Sequence, residues 1–125
     1  RINSTWGGNL VDMVRCTGYI EIMLRENTLQ NVRVQGAKVL EGLVKLQNRH
    51  SGHVSGARGA GLMCAFDLED GSRRDDLVRR IFENGAIILP CGTRSVRFRP
   101  PLNITGPEVD RALEIIGTSM EELFA

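Results

Sequence analysis

The stretch Ser95-Val96-Arg97-Phe98-Arg99-Pro100-Pro101 carries the densest chemistry in this 125-residue sequence. Side chains alternate along a strand, so Val96 and Phe98 share one face while Arg97 and Arg99 share the other. The apolar pair belongs in a core. Two guanidiniums beside a rigid Pro-Pro could grip a carboxylate through paired N–H donors. The plain alternative is a solvated strand face, which is the better reading for either arginine taken alone. A second anion-ready segment is Ser4-Thr5-Trp6-Gly7-Gly8-Asn9, just ahead of an apolar, helix-periodic run. The first turn of a helix carries unpaired N–H groups and a partial positive charge. Thr5 adds a hydroxyl, and the two glycines let a ligand approach the backbone. The functional reading is a phosphate contact. A tight turn feeding a capped helix is the simpler one, and residue types alone favour it. Arg58, in GARGAGL, is either a third anion contact or, more simply, a turn arginine.

Other reactive groups are sparse. The basic residues are fourteen Arg and only two Lys, Lys38 and Lys45. A lysine that attacks carbonyls needs a desolvated pocket to lower its pKa. Lys38 and Lys45 lie on the polar side of a helical pattern, so neither qualifies. Cys16, Cys64 and Cys91 are odd in number and lack a C-x-x-C spacing, which favours reduced, buried thiols over a disulfide framework or zinc. His50 and His53 sit in RHSGHVSG without a suitably spaced third ligand, so they read as solvated loop histidines and no metal site is expected.

Bulk properties narrow the function classes. A formal net charge of +1 provides no field to recruit nucleic acid or an acidic membrane. No apolar run approaches the roughly 20 residues of a membrane helix. No signal-peptide h-region occurs in the first ten residues. A hydrophobic content of 42% with 25% charged residues is that of an ordinary globular domain. The length makes one domain the default.

The elements that must position these groups follow from periodicity. Asn9 is a candidate N-cap for a helix carrying Leu10, Met13, Val14, Ile20 and Leu24, with Asp12 in its first turn. Val11, Cys16, Ile22 and Met23 widen the stripe until the helix is apolar nearly all round. Such a helix is normally buried on two sides, as between domains or at a subunit contact. Glu26-Asn27-Thr28 breaks the pattern. A second helix, about Thr28 to Arg49, has Leu29, Val32, Gly36, Leu40, Leu43 and Leu46 on its buried stripe. Leu62, Cys64, Phe66 and Leu68 then alternate with Met63, Ala65, Asp67 and Glu69, a strand with one buried face. Gly56, Gly59 and Gly61 imply a bent or bulged strand before it. Ser72 to Asn84 reads as a short helix with Asp75 and Asp76 in its first turn, Leu77, Val78, Ile81 and Phe82 inward, and Gly85 as its stop. Ala86 to Leu89 reads as a short buried strand, Cys91 to Ser95 as a turn, and Val96 to Arg99 as a strand. Thr105-Gly106-Pro107-Glu108 is a capping box with Pro at the first helical position. It opens a helix whose stripe is Val109, Ala112, Leu113, Ile116, Met120 and Leu123. The expected fold is α+β, with helices covering a short, mostly antiparallel sheet over residues 28–125. The first helix stands outside it.

Four blocks, taken together and in order, carry a family resemblance: NSTWGGNLVDMVR, RGAGLMCAFDL, AIILPCG and SVRFRPPL. They resemble the C-terminal part of class III (ω-) aminotransferases, fold-type-I enzymes that use pyridoxal 5'-phosphate. Trp6 and Leu10 stand where the wider class has Phe or Tyr and Pro, as in its lysine 6-aminotransferase branch. The resemblance implies a small C-terminal domain at 28–125. It also implies that residues 1–27 form the end of a large domain and an inter-domain helix. Thr5 then matches the threonine that contacts the cofactor phosphate of the neighbouring subunit in a homodimer. Arg97 matches the strand arginine that pairs with a large-domain glutamate or binds the α-carboxylate of a 2-oxo acid. Arg99 has no such counterpart and is left structural. The implied reaction moves the ε-amino group of lysine to 2-oxoglutarate in the cytoplasm. The family's Schiff-base lysine, the aspartate on the pyridine nitrogen and the ring-stacking aromatic have no match here. With no initiator Met either, the expectation is a fragment inactive by itself. The alternatives are an ornithine- or 4-aminobutyrate-type enzyme of the same class, or a free-standing, non-catalytic binding or dimerisation module.

Overall fold

A computed structural model describes residues 8–125. The elements, in chain order, are α1 (Leu10–Arg25), α2 (Thr28–Arg49), β1 (Ser55–Ala60), β2 (Met63–Asp67), α3 (Gly71–Glu83), β3 (Leu89–Cys91), β4 (Ser95–Phe98) and α4 (Gly106–Phe124). The four strands form one sheet in the order β1-β2-β4-β3, and every pairing is antiparallel. The expected α+β class and the helix and sheet order are thus found.

The sheet has one buried face because its strands alternate. Cys64 and Phe66 on β2, with Val96 and Phe98 on β4, point into the core. They meet Val39, Leu43 and Leu46 of α2, Leu77 and Ile81 of α3, and Val109, Ile116 and Met120 of α4. The β1–β2 hairpin closes through the pair Ala60 and Met63, with Gly61 at a positive φ of 54° in the turn. Helix α2 lies so close over this turn that a Cβ on Gly36 would overlap the Gly61 backbone. The register of β1 slips between Ser55 and Arg58, and Gly56 takes a φ of 62° there, which is the expected bulge.

Caps set the helix boundaries. The Asn9 side chain accepts from the Val11 N–H at 2.9 Å. The Glu108 carboxylate accepts from both the N–H and the hydroxyl of Thr105, each at 2.7 Å. Asp70 accepts from the Arg73 N–H at 2.9 Å and so starts α3 at Gly71. The helix therefore begins earlier than its apolar pattern suggests, and Asp75 and Asp76 fall beyond its first turn.

Several expectations need correction. The segment Ala86–Leu89 is not a buried strand: β3 is Leu89–Cys91, and Ile87 is 83% exposed. The tight turn after Cys91 fixes the pair Cys91 and Ser95, and pairing runs out at Leu89 and Arg97. β4 likewise ends at Phe98, one residue short of Arg99. Leu29 and Phe82 lie outside the core, whereas Val39, absent from the stripe read off the sequence, is fully buried. Cys16 is exposed and only Cys64 is buried, where desolvation raises its thiol pKa. His50 and His53 are half-buried rather than solvated. His53 stacks on Phe124 at 4.4 Å between ring centres, so the last turn of α4 covers the connector.

Helix α1 has no buried residue. Leu10, Val14 and Leu24 are each about three-quarters exposed, at 76%, 74% and 75%. Its sequence is apolar on nearly every side, and among the described residues only its C-terminal end meets α2, with Met23 half-buried. No described helix is long and apolar enough to cross a membrane.

Candidate functional site: the outer face of the sheet

The sheet face turned away from the helices carries the polar residues of the strands. One row across it reads Arg58, Ala65, Arg97 and Leu89, fixed by the pairs Arg58–Ala65, Ala65–Arg97 and Leu89–Arg97. The next row pairs Ser55 with Asp67, Asp67 with Ser95, and Ser95 with Cys91. The same period-two alternation that buries Phe66, Val96 and Phe98 therefore brings Arg58, Asp67, Ser95 and Arg97 to one surface.

Asp67 organises half of that surface. Its carboxylate accepts from the Ser95 hydroxyl at 2.6 Å and pairs with the Arg58 guanidinium at 3.0 Å, with Arg94 at 3.9 Å. Burial alone would raise its pKa. The hydrogen bonds from Ser95 and Arg58 and the charges of Arg58 and Arg94 outweigh that, so the carboxyl stays below its ordinary value. Arg58 also donates to the Gly56 carbonyl at 2.7 Å, inside the bulge. The turn reading of Arg58 is therefore corrected: it is a strand residue already committed to Asp67. The sequence signal for this network was present, since Asp67 and Ser95 are the polar members of two alternating strands. Their pairing register was what the sequence did not reveal.

The other half of the surface is different. Arg97 and Arg99 are both exposed. Among the described arginines, only Arg33, Arg97 and Arg99 lack an ion pair. Arg97 and Arg99 both line a groove of about 440 Å³ that the core residues Ile81, Phe98 and Ile116 also line, so it opens at the end of β4 rather than on the outer face alone. Ile87, Leu89, Pro100 and Ile104 lend that groove an aliphatic wall. The loop beyond the prolines is tied down from a distance. Asn31 of α2 donates to the carbonyls of Leu102 and Ile104 at 2.9 and 3.0 Å, so the exit of β4 is fixed relative to α2. A cationic end and an apolar wall suit an organic acid with a short aliphatic body.

The described residues do not fit a pyridoxal phosphate site by themselves. Lys38 pairs with Asp110 at 2.6 Å and donates to the Gly106 carbonyl, and Lys45 pairs with Glu41 at 2.6 Å. Both amines are partly or largely solvent-exposed ion-pair donors rather than desolvated nucleophiles. Thr5, the residue expected at the cofactor phosphate, lies outside the described residues, as does the rest of the segment 1–7. No group of three metal-ligating side chains occurs among the described residues.

Comparison with known proteins agrees with this architecture. The profile of aminotransferase class-III matches residues 2–120. The chain belongs to the class III aminotransferases, a class that depends on pyridoxal phosphate. It is 50% identical to the L-lysine-epsilon aminotransferase of Amycolatopsis lactamdurans over 121 residues, covering 96% of this chain and 27% of that protein. It is 37% identical to the human mitochondrial 4-aminobutyrate aminotransferase over 102 residues, covering 82% of this chain and 20% of that protein. Its fold superposes on a lysine aminotransferase from M. tuberculosis with a TM-score of 0.90 and 37% identity, covering 98% of this chain and 28% of that one. The chain thus spans about a quarter of the length of the relatives it matches.

Proposed function

We propose that this chain supplies the small C-terminal domain, residues 28–125, of a lysine 6-aminotransferase-like enzyme. Residues 1–27 close its large domain and form the inter-domain helix. The enzyme transfers the ε-amino group of lysine to 2-oxoglutarate, in the cytoplasm and as a homodimer. Within it, Arg97 binds the carboxylate of the acid substrate or its large-domain glutamate, and Thr5 donates to the cofactor phosphate of the neighbouring subunit. The observation that carries this reading is Arg97 itself. It is an exposed strand arginine without an ion pair among the described residues, in a chain half identical to an L-lysine-epsilon aminotransferase.

Two features support the remainder. Lys38 and Lys45 are held in surface ion pairs, so the amine that carries the cofactor is assigned to a segment other than this chain. Helix α1 offers an uncovered apolar surface, which a large domain or a second subunit would bury. That surface also argues against a free-standing module, because such a module would leave α1 wet. An ornithine- or 4-aminobutyrate-type enzyme is the second reading, favoured by the 37% identity to the human 4-aminobutyrate enzyme.

The test is a chimera. The matched C-terminal stretch of the M. tuberculosis lysine aminotransferase is replaced by this chain, and amino transfer to 2-oxoglutarate is assayed with lysine, ornithine and 4-aminobutyrate. Preference for lysine supports the proposal. A folded, cofactor-loaded chimera that prefers ornithine or 4-aminobutyrate assigns the chain to the second reading.

A further inference from the structure

We infer that Arg58 is a positioning residue: it occupies the Asp67 carboxylate and so keeps Arg97 unpaired and open to a ligand. The functional half of this inference rests on the reading of Arg97 given above. The geometric half stands without it.

Strand register makes Asp67 a competitor for Arg97. Asp67 lies directly opposite Ser95, and Ala65 directly opposite Arg97, so Asp67 and Arg97 are diagonal neighbours on adjacent strands. Such neighbours lie about 7–8 Å apart, within reach of a long side chain. Arg58 faces Ala65 from the other side and is diagonal to Asp67 as well. One carboxylate thus has an arginine on each diagonal, and it pairs with only one of them, Arg58, at 3.0 Å. Residue type does not decide between the two, because both are strand arginines on the same face.

The bulge in β1 decides. Gly56 takes a φ of 62°, and its carbonyl accepts from Arg58 Nη1 at 2.7 Å. A Cβ on Gly56 would stand 3.1 Å from both Arg58 Nη1 and Asp67 Oδ2, so the bulge is packed against the ion pair itself. Ser95 closes the arrangement. Its hydroxyl donates to Asp67 Oδ1 at 2.6 Å and accepts from Arg58 Nη2 at 3.3 Å. Arg58 is therefore held by acceptors on three strands. Arg94 is the weaker partner, 3.9 Å from the other carboxylate oxygen. Without Arg58, the Asp67 side chain, only 17% exposed, keeps one hydroxyl donor and one distant cation. A sheltered acceptor stripped of its main partner is costly to leave unmet. Arg97 is the arginine on its other diagonal.

The experiment follows the guanidinium signals of Arg58 and Arg97 by NMR in the full 125-residue chain. A guanidinium held through its nitrogens rotates slowly and gives separate Nη signals, whereas a free one gives an averaged signal. Wild type is compared with Arg58→Met, Arg58→Lys and the double variant Arg58→Met/Asp67→Asn, the amide spectrum of each verifying the fold. The expected result is an averaged Arg97 signal in wild type, separate signals in Arg58→Met, and an averaged signal again in the double variant. Arg58→Lys keeps a cation on Asp67 and should leave Arg97 averaged, which keeps the test open where the Met variant does not fold. An Arg97 already held in wild type overturns the proposal, as does one held in Arg58→Lys. So does an Arg97 still averaged in Arg58→Met because Arg94 has closed on Asp67 instead. The same variants in the chimera test the consequence. Arg58→Met should raise the KM for 2-oxoglutarate about tenfold with kcat little changed, the loss of one charge-assisted contact, and adding Asp67→Asn should restore it. A raised KM that Asp67→Asn does not restore overturns the proposal, since the effect is then a general loss of structure. Capture of Arg97 with an unchanged KM upholds the role of Arg58 and overturns the reading of Arg97.

Discussion

Arg97 and Asp67 face the same solvent from adjacent strands, yet they do opposite things. Asp67 is saturated by Ser95, Arg58 and Arg94, while Arg97 has no described partner. The carboxylate of Asp67 is held below its ordinary pKa in the folded chain, so its stabilising contribution is present above the unfolded value near 3.8. It is lost as pH falls through the lower, folded value. Asp67→Asn should therefore cost about 1–2 kcal/mol at neutral pH. The gap to wild type should narrow as urea unfolding is repeated at progressively lower pH below 4. A gap independent of pH would mean that Asp67 acts through shape alone. At the proposed site, Arg97→Gln in the chimera should slow the half-reaction with 2-oxoglutarate far more than it alters cofactor content. Equal half-reaction rates would remove Arg97 from carboxylate handling. Thr5→Ala in the same chimera should loosen the cofactor by about 1–3 kcal/mol, the scale of a lost bond to a charged acceptor. An unchanged cofactor dissociation constant would count against that contact.

The secondary elements show which parts of the site can be read from sequence and which depend on tertiary packing. Val96-Arg97-Phe98 was legible because alternation is a property of the strand itself, and Val96 and Phe98 are indeed buried. The capping box at Thr105 was legible for the same reason, since its partners lie three residues apart. Strand register was not legible. Asp67 meets Arg58 and Ser95 only because the bulge at Ser55–Arg58 and the β2–β4 pairing place them together. The Ala86–Leu89 segment misled because an apolar run signals burial or a strand equally well, whereas the turn after Cys91 decides how far pairing extends. His53 misled because its cover, Phe124, is distant in sequence. The Gly36–Gly61 approach is likewise a tertiary fact, since the periodicity of α2 only places Gly36 on the inner stripe. A methyl at Gly36 would have to displace backbone rather than a side-chain tip. Gly36→Ala should thus destabilise by about 1–3 kcal/mol, the range for overpacking. Thermal denaturation measures this directly, and a transition matching wild type would show that α2 and the β1–β2 turn can separate at no cost.

As a body, the chain closes a single core beneath one sheet and leaves α1 as an apolar appendage. The core draws on α2, α3, α4 and the strands, and α1 contributes no buried residue to it. Replacing Leu10, Val14 and Leu24 together with Gln should therefore change unfolding free energy by less than about 0.5 kcal/mol, as for ordinary surface substitutions. The same change should reduce self-association in sedimentation velocity, because it removes exposed apolar surface. A large loss of stability would mean that α1 packs against the core. The proposal for the enzyme makes a division of labour out of this shape: this chain brings Arg97 for the acid substrate, and the amine that carries the cofactor comes from elsewhere. Mixing the chain with stoichiometric pyridoxal phosphate, reducing with borohydride and mapping adducts by mass spectrometry checks that division. The prediction is no stoichiometric adduct on Lys38 or Lys45. A single, stoichiometric adduct on either lysine would contradict it, and would mean that this chain builds a cofactor pocket of its own.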